Sequence, residues 1–263
     1  MKYLPKDHSF IICAFRESPY LEQCILSLKN QLVPTAAAIS TSTPNEHIRS
    51  LAEKYGLEVF VNAGEKGIAG DWNFALSCAK TPLVTLAHQD DIYLPEYTAE
   101  MLRGMNAVSA PLLFSSNYGE KRGEEEVYSN RLLNVKKLLR LPMRLFPGKK
   151  WARRMSLAFG DSICCPSVTY VSALMKRFPF EAGLKAGLDW QEWEKLSRLE
   201  GSFAYSNKPL MLHRIHAESE TSRVIENTGR SSEDLEMFRR FWPEPVAKAL
   251  SRLYAGSEKS NEI

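Results

Sequence analysis

The sequence predicts an α/β fold, a mostly parallel sheet flanked by helices, carrying a basic helical insert and a C-terminal helical extension. Three observations predict it. Between residues 1 and 115, apolar runs of strand length alternate with segments of helical periodicity. Residues 131–154 hold nine Lys or Arg and no acid, and Pro142 and Pro147 break them into short helices. Beyond residue 225, helical periodicity returns around Leu235, Phe238, Phe241 and Trp242.

The elements follow in order. Phe10-Ile11-Ile12-Cys13-Ala14-Phe15 is a continuous apolar run and reads as a buried strand. Tyr20 to Leu32 reads as a helix with Leu21, Cys24, Ile25 and Leu28 on one face. Ala36 to Ile39 is a second, weaker strand. Thr43-Pro44-Asn45-Glu46 starts a helix with a hydroxyl at the N-cap, Pro first and Glu third, and Gly56 ends it after Tyr55. Leu57 to Val61 is the third strand, Asp71 caps a helix running to Ala79, and the run from Pro82 to Ala87 is the fourth strand. The order βαβαβαβ indicates a parallel sheet covered by helices, and such sheets bind ligands at the carboxyl ends of their strands.

The chain's 263 residues suit one large domain or one domain with an appendage. No segment approaches the ~20 apolar residues of a transmembrane helix. The start, MKYLPKDHSFIICAF, lacks the cleavage site of a signal peptide. The five cysteines are odd in number and without zinc-type spacing; four read as small core hydrophobes, and a reducing cytoplasm is the expected compartment. The net charge of +3 hides an asymmetry, because outside residues 131–154 the chain carries 25 basic and 31 acidic side chains, a net of −6.

The strand ends are informative. Strand one ends in Phe15-Arg16-Glu17 and strand two in Ser40-Thr41-Ser42-Thr43; strand three leads to a loop with Gly64, Lys66, Gly67, Gly70 and Asp71. Strand four runs into His88-Gln89-Asp90-Asp91. Adjacent carboxylates raise each other's pKa, which leaves two readings, a solvated turn or a cation site. The loop glycines have neither GxGxxG nor P-loop spacing, so dinucleotide binding and ATP hydrolysis do not follow. Hydroxyls, an aromatic, a lysine loop and a carboxylate pair on one rim suggest a nucleotide site; the alternative is a flexible loop with no ligand.

At these residues the sequence resembles the family-2 glycosyltransferases of GT-A fold. FIICAFRESPYLEQCILSLKNQ looks like the family's first block, and GIAGDWNFALSCAKTPLVTLAHQDDIYLP resembles the block ending in the acidic DxD-type motif. GLDWQEWEKLSRLEG resembles the block with the catalytic base, and HRIHAESETS the closing Arg-x-His segment. The resemblance implies a Rossmann-like GT-A domain over 1–222, with a nucleotide-sugar half at 1–115, the basic insert at 120–158 and an acceptor half at 159–222; residues 223–263 form the helical extension. Three departures stand out: His88 replaces the usual first Asp, a Ser/Thr run replaces an acidic turn after strand two, and Trp72 replaces an Arg before the helix asparagine.

The resemblance implies an inverting transfer of a sugar from a UDP- or dTDP-sugar to a hydroxyl of a saccharide or lipid-linked saccharide, in bacterial surface polysaccharide synthesis. Mn2+ or Mg2+ is the implied cofactor, since a divalent cation stabilises the leaving diphosphate and one or two carboxylates suffice to hold it. Asp90 takes the metal position, Asp91 assists, and His216 is the third ligand or a structural histidine. Arg214 would pair with phosphate or with an acid of the fold. Asp189 is the implied base, with Glu192 as fallback; the same two residues also make a capping box for their helix. Phe15 would lie under the nucleotide base with Ala14 and Glu17 beside it, or serve as a core aromatic. Thr41 would meet the base edge or cap a helix. Gln89 or His88 would reach the ribose, and Lys66, Asp71 and Asn73 are donor-site candidates, Asp71 doubling as an N-cap. Gly160 to Ser167 would wall the acceptor side.

For residues 131–154 two readings remain: peripheral contact with an anionic membrane, or a hairpin packing its leucines on the core. Sparse aromatics argue against nucleic acid. A nucleotidyltransferase would want a Gly-rich basic loop after strand one, which is absent. A non-catalytic nucleotide-sugar or partner-binding module is the remaining alternative.

Overall fold

The structure, a computed structural model, describes residues 2–184, 186–216 and 230–258. β1 (His8–Ala14), β2 (Ala36–Thr41), β3 (Glu58–Val61) and β4 (Leu83–His88) alternate with α1 (Leu21–Lys29), α2 (Glu46–Tyr55) and α3 (Ile68–Cys78). Next come β5 (Ile92–Tyr93), α4 (Tyr97–Ala107), β6 (Pro111–Arg122) and β7 (Glu125–Val127). The basic stretch forms α5 (Arg131–Leu139), α6 (Leu141–Leu145) and α7 (Lys150–Leu157). β8 (Thr169–Val171), α8 (Ser172–Arg177), α9 (Leu188–Ser197) and β9 (Ser202–Ile215) follow, then α10 (Arg230–Arg239) and α11 (Glu244–Glu258). Of the quoted closing segment, Ala217 to Ser222 lie outside the described residues, as do Lys185 and residues 223–229.

The strands form one sheet in the order β3-β2-β1-β4-β8-β6-β9-β5, with β7 on β6. β1 runs parallel to β2 and β4, β2 to β3, and β6 to β9, while β8 lies antiparallel between β4 and β6. The sheet is therefore mostly parallel, with β5, β7 and β8 reversed. Both faces are covered, which explains the unbroken apolar run of β1. Phe10, Ile12 and Ala14 pack in the layer of α1, α2 and α4, and Ile11 packs in the layer of α3, α9 and the C-terminal helices.

Register builds the rim. Ala14 pairs with Thr41 and Cys13 with His88, so β1, β2 and β4 end side by side. Ile92 pairs with Leu212, which lays the end of β9 against Asp90 and Asp91. A polar chain crosses the sheet beneath. The His8 ring meets Thr35 Oγ1 at 3.0 Å and Thr85 Oγ1 at 2.8 Å. Thr85 meets Thr169 at 2.6 Å and Tyr97 meets Thr169 at 3.1 Å, so each buried group has a partner. Burial pushes His8 down to about 3, so the ring is neutral.

Three helix starts differ from the sequence expectation. α2 is capped by Asn45, whose side chain accepts from Ile48 N at 2.9 Å, while Thr43 Oγ1 accepts from Arg16 N at 2.6 Å. α3 begins at Ile68 behind Gly67, whose φ of 97° suits glycine, so Asp71 lies inside the first turn and not at the cap. α9 begins at Leu188, one residue ahead of Asp189, and no Asp189–Glu192 capping box forms. Glu233 of α10 takes over that end, accepting from Ala186 N at 2.8 Å and Gly187 N at 3.1 Å.

The insert packs with several of its cations inward. Arg140 is fully buried and bonds Ser116 O and Asn117 Oδ1. Arg153, also buried, donates to the carbonyl of Ser197 at the end of α9 and to those of Leu199 and Gly201 just beyond it. The expected leucine packing is realised for Leu133, whereas Leu138 and Leu145 are exposed.

Candidate active site

The acidic cluster stands where β4 ends, and β9 wires it in place. Asp91 is fully buried; its Oδ1 accepts from Arg214 N at 2.9 Å and meets His213 Nδ1 at 3.0 Å. His216 Nε2 meets Asp90 Oδ2 at 2.9 Å. Arg214 donates to Asp90 O at 2.8 Å and to Gln23 Oε1 at 2.5 Å, with its guanidinium 4.2 Å over the Tyr20 ring. Among the described residues its guanidinium is tied to a backbone carbonyl and an amide, while its backbone N–H serves Asp91.

Burial would raise the Asp90 carboxyl, but the His216 hydrogen bond and the charges of His88 and His213 hold it below its ordinary value. Burial likewise opposes a charge on His213, and Asp91 overcomes it, raising that imidazole. Ligand atoms of His88, Asp90 and Asp91 lie within 4.8 Å of one another. His88 Nε2 and Asp91 Oδ2 are buried without a hydrogen-bond partner. Orphaned polar atoms of this kind are costly unless something fills them, and one imidazole with two carboxylates fits a divalent cation.

The remaining donor-side candidates divide. Phe15 is 43% exposed at the end of β1, and its N and O both bond the Gln89 side chain at 3.0 Å. Gln89 is thereby a clamp between β1 and β4, with Ala14 buried behind it. Thr41 is buried, and its Oγ1 accepts from Thr43 N at 3.0 Å. Asp71 accepts from Ser42 Oγ at 2.9 Å and Asn62 Nδ2 at 2.8 Å, tying β2 to the loop after β3. The Asn73 amide bonds both Phe180 O and Phe180 N. Lys66 and Glu17 are exposed on the rim loops. Trp72 stands 5.3 Å from the His88 ring and 5.1 Å from Phe180, so it walls the cluster.

A second acidic group forms in the part of the chain that follows the insert. Asp161, in the loop after α7, shares a hydrogen bond with Asp189 of α9. Burial and the charge of Asp189 push the Asp161 carboxyl well up, against the pull of Lys136. Lys136 comes from α5 of the insert; burial opposes its charge, and Tyr118, Tyr254 and Asp161 raise it. The Cys164 thiol feels both Asp91 and Asp161, so the two acidic groups flank the same turn. Glu192, one turn along α9, is buried; burial pushes its carboxyl up to about 7 although Lys195 Nζ lies 2.8 Å away. Asp161 and Lys136 are absent from the sequence-based site. Asp161 sits in the quoted GDSICCPS segment, and Lys136 is one of nine similar cations with no local signal to single it out.

A mostly parallel sheet flanked by helices, with its strand ends gathered on one rim, is the fold of the GT-A glycosyltransferases. The family model described as "Glycosyl transferase family 2" matches residues 9–166, and the chain belongs to that family. Solved structures agree in fold. A mannosyltransferase from Pyrobaculum calidifontis, in complex with GDP-Man and Mn2+, superposes with a TM-score of 0.64 at 14% identity, over 97% of this chain and 70% of that one. TarS of S. aureus gives 0.58 at 16% identity over 95% of this chain, which spans 42% of the TarS chain. Glucosyl-3-phosphoglycerate synthase of Mycobacterium tuberculosis, with Mn2+ and UDP-glucose, gives 0.55 at 17% identity, over 85% and 77%. No curated protein matches in sequence. Among the described residues, no helix is long and apolar enough to cross a membrane.

Proposed function

We propose that this chain is an inverting, metal-dependent glycosyltransferase that moves a sugar from a UDP- or dTDP-sugar to a hydroxyl of a saccharide or lipid-linked saccharide, at the cytoplasmic face of a bacterial membrane. The observation that carries this reading is the group His88, Asp90 and Asp91 at the end of β4, whose ligand atoms lie within 4.8 Å of one another and which includes a buried carboxylate oxygen, Asp91 Oδ2, with no hydrogen-bond partner. His88, Asp90 and Asp91 would hold Mn2+ or Mg2+, with His216 either joining them or orienting Asp90. When bound, the cation supplies positive charge where negative charge develops on the departing diphosphate.

The chain's own residues do the rest. Phe15 offers its exposed ring to the nucleotide base beside Ala14 and Glu17, and Lys66 reaches the phosphates from its loop. Gln89, Thr41, Asp71 and Asn73 act through the backbone they fasten, keeping the rim in register. Asp189 takes the proton of the attacking hydroxyl, and a protonated Asp161 donates to it, favouring its ionised form. Attack from the face opposite the leaving group inverts the anomeric centre.

A thermal-shift screen of nucleotide sugars with and without Mn2+ tests the donor site. A specific donor raises the melting temperature by mass action and does so more with Mn2+; a flat screen sinks the reading. The alternative, a non-catalytic nucleotide-sugar module, is favoured by one feature, His88 at the usual first acid. Nucleotide binding with no turnover would support it.

A further inference from the structure

The insert folds with its cations inward and part of its apolar surface outward. Backbone bonds from Arg140 N to Lys136 O and Arg144 N to Arg140 O carry the helical turn from α5 into α6. Along that rod, Leu133, Arg140 and Met143 are buried. The opposite stripe, Val135, Leu138, Leu141 and Leu145, is exposed, Leu138 by 67% and Leu145 by 59%. On α7, Arg153 is buried while Trp151 and Met155, one turn apart, are exposed, Trp151 by 55%. The Phe146 and Trp151 rings, 5.4 Å apart, join the two stripes. Exposed contiguous apolar surface of this kind marks an interaction site.

Charge chooses the occupant. Residues 131–160 contain no acid, and Arg131, Arg144 and Lys149 are exposed on this insert. A twofold dimer through this face would set the same cations against themselves. An anionic bilayer surface complements both the apolar stripe and its cations, with leucine and tryptophan entering the acyl boundary and Arg and Lys at the headgroups. The geometry points to docking of the outward faces of α5, α6 and α7 on an anionic lipid surface. This inference stands independently of the glycosyltransferase reading. It places Lys136, on the same helix, between the lipid-facing side and Asp161.

Sedimentation with vesicles of phosphatidylcholine and phosphatidylglycerol in equal parts tests it. The protein is expected to sediment with these vesicles at low salt, less with phosphatidylcholine alone, and less again at high salt. The triple variant L138S/L145S/W151S removes only exposed side chains, so its melting temperature and circular dichroism should match the parent. Its vesicle binding is expected to fall by about tenfold or more. Quenching of tryptophan emission by brominated lipid should drop in W151F, which reads insertion of that ring directly. The inference is overturned if the parent ignores anionic vesicles at low salt or if the triple variant binds as the parent does. It is also overturned if the face mediates self-association, abolished by the triple variant, while neither protein binds lipid.

Discussion

The two acidic groups flanking the Cys164 turn use the same side chains in opposite electrical settings. At the end of β4, His216, His213 and His88 surround the carboxylates and hold Asp90 below its ordinary range despite burial. Beyond the insert, burial and the neighbouring Asp189 push Asp161 well above it, with Lys136 the main counterweight. The first setting keeps negative charge available, as a cation site needs. The second keeps a proton in the pair, as a base and its hydrogen-bond donor need. Histidines around the first pair, and burial beside a second acid that Lys136 only partly offsets in the other, separate the two settings.

The comparison can be broken at either end. The largest effect is expected for Asp90→Ala, a loss of about 10³-fold or more in donor turnover together with loss of Mn2+ binding, read by titration calorimetry on the protein alone. Unaltered metal affinity would remove Asp90 from the cation site. Asp189→Asn should lower transfer by about 10²- to 10⁴-fold while leaving Mn2+-dependent donor binding intact, which calorimetry with the nucleotide sugar checks. A variant that loses both would place Asp189 in the donor site.

Asp161 sharpens the contrast more finely. Asp161→Asn keeps a donor toward Asp189 and should stay within about threefold of the parent, whereas Asp161→Ala should lose about tenfold. In the alanine variant the acidic limb of the pH–rate profile should move to higher pH, because the ionised form of Asp189 has lost a hydrogen bond. Equal behaviour of the two variants would make Asp161 merely structural.

The smallest effect is on stability, at Glu192. Its folded pKa, about 7, lies above the ordinary 4.5. The unfolded chain therefore releases this proton first, so stability falls as pH rises from about 4.5 to 7 and the full penalty remains above. Glu192→Gln should stabilise the fold at pH 8 by an amount on the order of 2 kcal/mol, read by denaturant unfolding, and change little at pH 5. A gain that is the same at both pH values would locate the effect in packing instead.

Much of the first half was legible in sequence because its signals are local. The run Phe10 to Phe15, the periodic face of α1 and the Gly56 stop each depend on neighbours in the chain. β8 was not legible as a strand between β4 and β6, since Thr169–Val171 is short and its place depends on partners far away in sequence. The family resemblance marked Asp90 and Asp189, but local capping rules misread the start of α9. The competing cap, Glu233, comes from a distant helix, and no pattern around Gly187 announces it. The insert misled for a related reason. Periodicity shows that a helix has two faces, but Arg140 and Arg153 are drawn inward by carbonyls supplied by β6 and by the chain beyond α9.

The Glu233 bridge carries a consequence for the whole chain. The helix bearing Asp189 is anchored at its leading end by a side chain more than forty positions downstream, and Tyr254 closes against Gly160, beside Asp161. The tail helices thus act as a keystone for the start of α9, and they also close the apolar layer that lies over β1, β4 and α3. Trimming them should unseat the start of α9 and uncover the apolar layer it shares with β1 and α3.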